Sequence, residues 1–371
     1  MVLGGVCLGK VCNVFCQKLH SLYIRGVINH KSIKMRKLFL SFSFLLLTFC
    51  NSDKKQPNSK IEIYDNSIES IIDISAAIEI IADSILLPEG PVWDEKSKSL
   101  YFSDVISNKI FKWNEVNGTS EFIVPSGNTG YALNLGEGIL GANGLALDMK
   151  GNLILCQHGD RRLAILKNME SGVPQFETIV DNFEGKTLNS PNDITLSEDG
   201  TMYFTDPPFA FFDAATFSFV ETEMRELNFN GVFKYNPNNM TTTLITKDVD
   251  VPNGIALSED EKSLYVNKMG ILDNSPAIKK INLETNEVET FFDGKDLFGK
   301  VEGNFDGMKV HSSGHVFTSG PGGLLVISPS GKLKAKIDFG HITNCAFDKD
   351  EKHLYATGFL SNPKVYRIKL K

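Results

Sequence analysis

One short pattern recurs six times between residue 86 and the last residues of the chain, and it limits the possible folds more than any other feature. Each copy has an oxygen-bearing lead residue, usually followed by glycine. A short apolar arm, a turn of Gly or acidic residues and a second, β-rich arm come next. The copies read EGPVWDEKSKSLYFSD from Glu89, NGLALDMKGNLILCQ from Asn143 and NDITLSEDGTMYFTD from Asn192. They continue with NGIALSEDEKSLYVNK from Asn253, DGMKVHSSGHVFTSG from Asp306 and NCAFDKDEKHLYATG from Asn344. Arms that alternate or are apolar throughout, joined by turn residues, are the signature of a β-hairpin. Further strand-like runs at 109–113, 163–166, 231–235 and 324–327 lie between copies. Four strands in about 48 residues make the blade of a propeller. The expected fold is an all-β, six-bladed β-propeller of four-stranded blades over residues 86–371, closed around a central channel. Helical periodicity is scarce, and its best stretch, 67–80, is read as a helix packed outside the ring.

The segment before the repeats has a different composition. Residues 1–50 hold seven of the 38 Lys/Arg and no acid, so the remainder carries 31 basic against 45 acidic side chains. A body that acidic repels phosphate backbones, which argues against nucleic acid as a partner and suits a cation. From Met35 the chain runs MRKLFLSFSFLLLTFC and then into a polar stretch, NSDKKQPNSK. Arg36 and Lys37 form a positive n-region, and residues 38–49 form an apolar h-region too short to span a bilayer comfortably. Ending at Cys50, the segment resembles a bacterial lipoprotein signal, with Cys50 as the expected lipidation site. The start is expected at Met35, residues 51–85 form a tether and N-terminal segment, and the expected location is the cell envelope. Any membrane contact would run through that anchor. In the body only Cys156 and Cys345 remain, each in an apolar run, and both are expected as buried free thiols.

The lead residues carry the chemistry. Equivalent positions of successive blades form a ring about the axis, and Glu89, Asn143, Asn192, Asn253, Asp306 and Asn344 all offer a side-chain oxygen. Six such groups converging on one channel would be costly to desolvate without a partner. A divalent cation satisfies them, and an all-oxygen set without Cys points to Ca²⁺ before Mg²⁺ or Mn²⁺. The competing reading is that Asn-Gly and Asp-Gly only make turns.

With these residues in view, the chain resembles the SMP-30/gluconolactonase family of six-bladed propeller lactonases. The matching stretches are LPEGPVW, NGLALD, HGDRR, SPND, YFTDPPF, PNGIALS, DGMKV and TNCAF, together with the REL and GVFKY elements between residues 225 and 235. The resemblance implies metal ligands at Glu89, Asn192, Asn253 and Asp306, with Ca²⁺, Mg²⁺, Mn²⁺ or Zn²⁺ as the ion. Asn143 and Asn344 would then be ring neighbours able to bind water or substrate, as would Asn192, and Asp193 would orient Asn192. It also implies hydrolysis of a small lactone, the ion polarising the carbonyl for attack by water. No GxSxG elbow is present and neither body cysteine has a plausible His partner, so a covalent route is disfavoured. Two general bases stay open: Asp306, from the family, and His158, from its titration range. Arg161 is read either as a contact to substrate oxygens or as a partner of nearby acids. The stretch 207–219, with five phenylalanines, is read as a lid or pocket wall. A phosphotriesterase or esterase on the same ion, and a non-enzymatic propeller with a structural ion, are the alternatives.

Overall fold

The computed structural model describes residues 61–371 apart from 214, 215, 217 and 362. Residues before 61, including Met35 and Cys50, lie outside the described residues. Each sequence repeat supplies the two inner strands of one antiparallel sheet, and the runs between repeats supply the outer strands. Blade 1 comprises Pro88–Asp94, Ser99–Asp104, Lys109–Asn114 and Gly118–Ile123, and blade 2 Ala142–Leu147, Leu153–Gln157, Arg162–Glu170 and Val173–Val180. Blade 3 comprises Ile194–Leu196, Met202–Asp206, Gly231–Asn236 and Thr241–Thr246. Blade 4 comprises Pro252–Leu257, Ser263–Lys268, Ala277–Asn282 and Val288–Asp293. Blade 5 is built on Met308–Val310, Val316–Gly320, Gly323–Ile327 and Leu333–Ile337, and blade 6 on Ile342–Phe347, His353–Gly358 and Val365–Lys369. The innermost strands touch in cyclic order, and the last touches the first, so the ring is closed.

Alternation along the strands explains the core. Successive side chains face opposite sides of a sheet, so each blade buries both faces against its two neighbours. In blade 1, Tyr101 packs toward blade 2 with Ala142, Leu145 and Leu155, whereas Phe102 packs toward blade 6 with Ala346, Tyr355 and Val365. The apolar core is thus a set of wedges, one between each pair of adjacent blades. Cys156 and Cys345 are free, sit in two of these wedges, and burial pushes both thiols upward, Cys345 to about 12.

The segment ahead of residue 86 departs from the sequence reading. Blade 6 draws only three strands from the last repeat, and its outer strand is Ile78–Ala82, paired antiparallel with Val365–Lys369. Ile61–Ile63 adds a fifth strand to blade 5. Among the described residues, the propeller therefore draws on chain ahead of residue 86, from Ile61 onward. The expected helix over 67–80 is a short 3₁₀ turn, Asn66–Ser70, followed by that strand. Its apolar spacing arises because Ile68, Ile72 and Ile78 all drop into the wedge between blades 5 and 6.

Candidate active site

The lead residues stand at or just before the start of the inner strands, and the glycines after them serve close packing rather than turns. A Cβ on Gly90 would lie 2.1 Å from the Asn143 carbonyl oxygen, and one on Gly254 2.3 Å from that of Asp306. With that room left open, the inner strands are tied across blades by backbone links. Gly144 N donates to Asn192 O at 2.7 Å and Gly254 N to Asp306 O at 2.8 Å. Hydroxyls of the second strands add to the ring: Ser103 donates to Asn143 O at 2.8 Å and Thr205 to Asn253 O at 2.7 Å. This scaffold brings Glu89, Asn143, Asn192, Asn253, Asp306 and Asn344 around one channel. All are buried except Asp306, which is partly exposed.

The six are not equivalent. Glu89 receives its hydrogen bonds on Oε2, from Gly90 N at 2.9 Å and Asn344 Nδ2 at 3.2 Å. Asn344 also accepts on Oδ1 from Cys345 N at 2.8 Å and its side chain hydrogen-bonds Asp193, so it steadies two of the acids. Asn253 hydrogen-bonds the Asp306 carboxyl and donates from Nδ2 to Met269 Sδ at 3.2 Å. Asn192 is the informative one. Its Nδ2 lies 3.4 Å from His158 Nε2, and its Oδ1 is buried with no hydrogen-bond partner. A buried amide oxygen left unpaired costs on the order of 1–3 kcal/mol unless something else satisfies it.

The charges tell the same story. Burial first, and then Asp193, push the Glu89 carboxyl up to about 8. Asp306 is raised well above the carboxylate range by burial, then by Glu89 and Asp193. Two carboxyls that destabilise each other's charge beside an unpaired amide oxygen form a hard-oxygen donor set suited to Ca²⁺. Among the described residues no three His, Cys, Asp or Glu side chains gather as ligands, so a cation here would draw on amide oxygens as well. The residues fit such an ion. Asp193 lies beside these groups but turns to backbone amides and not to the Asn192 side chain it was expected to orient: Oδ1 accepts from Ile194 N at 2.9 Å and Oδ2 from Ile255 N at 3.4 Å.

The HGDRR loop holds the site from outside. His158 is fully buried, its Nδ1 3.1 Å from Ile139 O, and burial lowers it to about 4, so it is neutral. The Ile139 carbonyl demands the proton on Nδ1 and leaves the Nε2 lone pair toward Asn192. Arg161 sits elsewhere than the substrate reading expected. Its guanidinium donates to the carbonyls of Leu188 at 2.7 Å and Asn189 at 3.3 Å, and lies 5.0 Å over the Phe211 ring. Arg162 is taken by Gln157 at 2.7 Å and stacks 3.7 Å over Tyr131. In the aromatic stretch, Ala210, Phe211 and Phe212 are buried, and Phe209 stacks on His158 with ring centroids 6.1 Å apart. That contact seats the hairpin of Phe212–Asp213 and Ser218–Phe219 beside the ring.

A family model described as SMP-30/Gluconolactonase/LRE-like region matches residues 87–359. The chain belongs to this family. A gluconolactonase from Zymomonas mobilis subsp. mobilis is 33% identical over 324 residues, covering 84% of this chain and 86% of that protein. The solved structure of a gluconolactonase from Xanthomonas campestris superposes with a TM-score of 0.69 at 25% identity, covering 84% of this chain and 95% of that one. A calcium-binding protein, regucalcin, from Agrobacterium tumefaciens shares the fold at a TM-score of 0.59 and 15% identity, over 80% and 95% of the two chains. Within this SMP-30/gluconolactonase chain, sequence reasoning missed two groups. Asp104 and Asp206, at the ends of the second strands, cap backbone amides just upstream of the ring: Leu87 N at 3.0 Å and Ser190 N at 2.7 Å. Their signal was the shared YFSD and YFTD endings. The second is Lys309, whose signal was a lone charge inside an inner strand.

Proposed function

We propose that this protein hydrolyses a small lactone with a divalent cation held at the channel ring, Ca²⁺ first among the candidates. The observation that carries the reading is the unpaired, buried Oδ1 of Asn192 beside the mutually repelling carboxyls of Glu89 and Asp306. The gluconolactonases it resembles support the substrate class. Glu89, Asn192, Asn253 and Asp306 would hold the ion, which when bound supplies Lewis-acid polarisation of the lactone carbonyl.

The chain's own residues do the rest. Asn344 and Gly90 N fix Glu89, and His158 fixes Asn192, so the oxygens are held in place before substrate arrives. Asp306, the less buried residue of the pair, is the group we assign to take the proton of the attacking water, its carboxyl being ionised beside the ion. His158, fully buried and neutral, positions Asn192 in this reading. Phe209 and its hairpin wall the site beside His158 and limit water at the reacting carbonyl.

The test is acid release from D-glucono-1,5-lactone, with the spontaneous rate subtracted, after chelation and after return of Ca²⁺. The expected result is activity lost on chelation, restored by metal and reduced at least 10³-fold by Asp306→Asn. Wild-type activity in chelator, or in the Asp306→Asn protein, refutes the reading.

A further inference from the structure

The six-fold pattern of the inner strands is broken by charge at two positions. One residue after the lead, four blades carry Gly90, Gly144, Gly254 and Gly307 and blade 6 carries Cys345, whereas blade 3 carries Asp193. Three residues after the lead, five blades carry Val92, Ala146, Thr195, Ala256 and Phe347, whereas blade 5 carries Lys309. The two exceptions meet in the channel, with Lys309 Nζ 3.9 Å from Asp193 Oδ2.

Neither is an accident of surface charge. The Asp193 side chain is 2% exposed and fills the space beside Gly144, where a Cβ would come within 2.8 Å of Asp193 Oδ1. Its oxygens accept from amides of blades 3 and 4, Ile194 N and Ile255 N, and from the Asn344 side chain, bonds that favour its charged form against burial. Lys309 enters from blade 5, anchored by a 3.0 Å bond from Nζ to its neighbour's carbonyl, Met308 O. Its field reaches both Asp193 and Glu89. A cation bound by Glu89 and Asp306 would share the channel with this pair.

We infer that Lys309 and Asp193 set which cation charge the ring accepts, Lys309 being a counter-cation supplied by the chain itself. This rests on the metal reading above and deepens it. With a cation bound and Glu89 and Asp306 ionised against it, these two and Asp193 bring three negative charges and Lys309 one positive, leaving two, which matches a divalent ion. Removing the ammonium leaves three, which favours a trivalent one. In a partly desolvated channel one unit of charge shifts the preference between a trivalent and a divalent ion by about tenfold or more.

The experiment is calorimetric titration of the purified protein with Ca²⁺ and, separately, with Tb³⁺, comparing the ratio of the two affinities. Lys309→Met should raise the Tb³⁺ to Ca²⁺ ratio about tenfold, Lys309→Arg should leave it unchanged, and Asp193→Asn with Lys309→Met should return it to the starting value. An unchanged ratio in Lys309→Met, with binding intact, overturns the inference and leaves the metal site standing. Absence of binding by the unsubstituted protein overturns both. Should Lys309→Met not fold, Asp193→Asn alone decides: a ratio lowered about tenfold supports the inference and an unchanged ratio overturns it.

Discussion

Three carboxyl groups in one channel repel one another, and Glu89 carries the clearest consequence. Burial holds its proton on up to about pH 8 in the folded chain, against an ordinary 4.5. A folded state that binds the extra proton loses stability as pH rises across that interval, because charging the carboxyl costs more inside than in the unfolded chain. In chelator, therefore, thermal stability should fall between about pH 4.5 and 8, and excess Ca²⁺ should abolish the fall. Glu89→Gln should make the fall in chelator shallower, Asp306 supplying the remainder, and raise the melting temperature at pH 8 by on the order of 5 °C. Scanning calorimetry of both proteins checks this, and parallel profiles would contradict it. At this scale the ring residues were legible because a sixfold repeat exposes any column of like side chains. Arg161 was not, because its loop repeats nowhere and its donors turn to the Leu188 and Asn189 carbonyls through folding alone. The amide orientation of Asn192 likewise follows from His158, 34 positions away in the chain.

Elements were legible where their partners are near in sequence. Each blade's hairpins join neighbouring segments, so the alternation and the turn residues adjacent in sequence are the same ones that pair in space. The strand Ile78–Ala82 hydrogen-bonds chain made 288 residues later, as in the Arg367–Glu79 contact, and no local pattern announces that. Between these extremes lie the site loops, held by buried ties. Arg161 links the 187–189 stretch to the Phe211 ring, and the charge-assisted bonds it makes are each worth about 1.5–3 kcal/mol. Arg161→Met should lower stability in urea by about 2 kcal/mol while leaving kcat within a few-fold. A large rise in KM with unchanged stability would instead mark Arg161 as a substrate contact.

The whole molecule is a ring of wedges, so its stability depends on the seam between blade 6 and the N-terminal strand as much as on any blade. Removing residues 1–60 leaves every described strand in place and should keep a cooperative melt. Removing residues 1–82 strips Ile78–Ala82 from blade 6, Ile61–Ile63 from blade 5, and Ile68, Ile72 and Ile78 from the wedge between them. That protein should lose cooperative unfolding and become protease-sensitive, as limited proteolysis with calorimetry will show. A cooperative melt in the shorter chain would mean that the three-strand blade suffices. The seam also records the order of synthesis. Blades 1 to 4 can pair as each leaves the ribosome, but the early-made strand at 78–82 stays an open edge until residues 365–369 arrive. A prematurely terminated product therefore exposes an unpaired strand at one end and an unfilled wedge at the other, which marks it for degradation, and only the finished chain hides both.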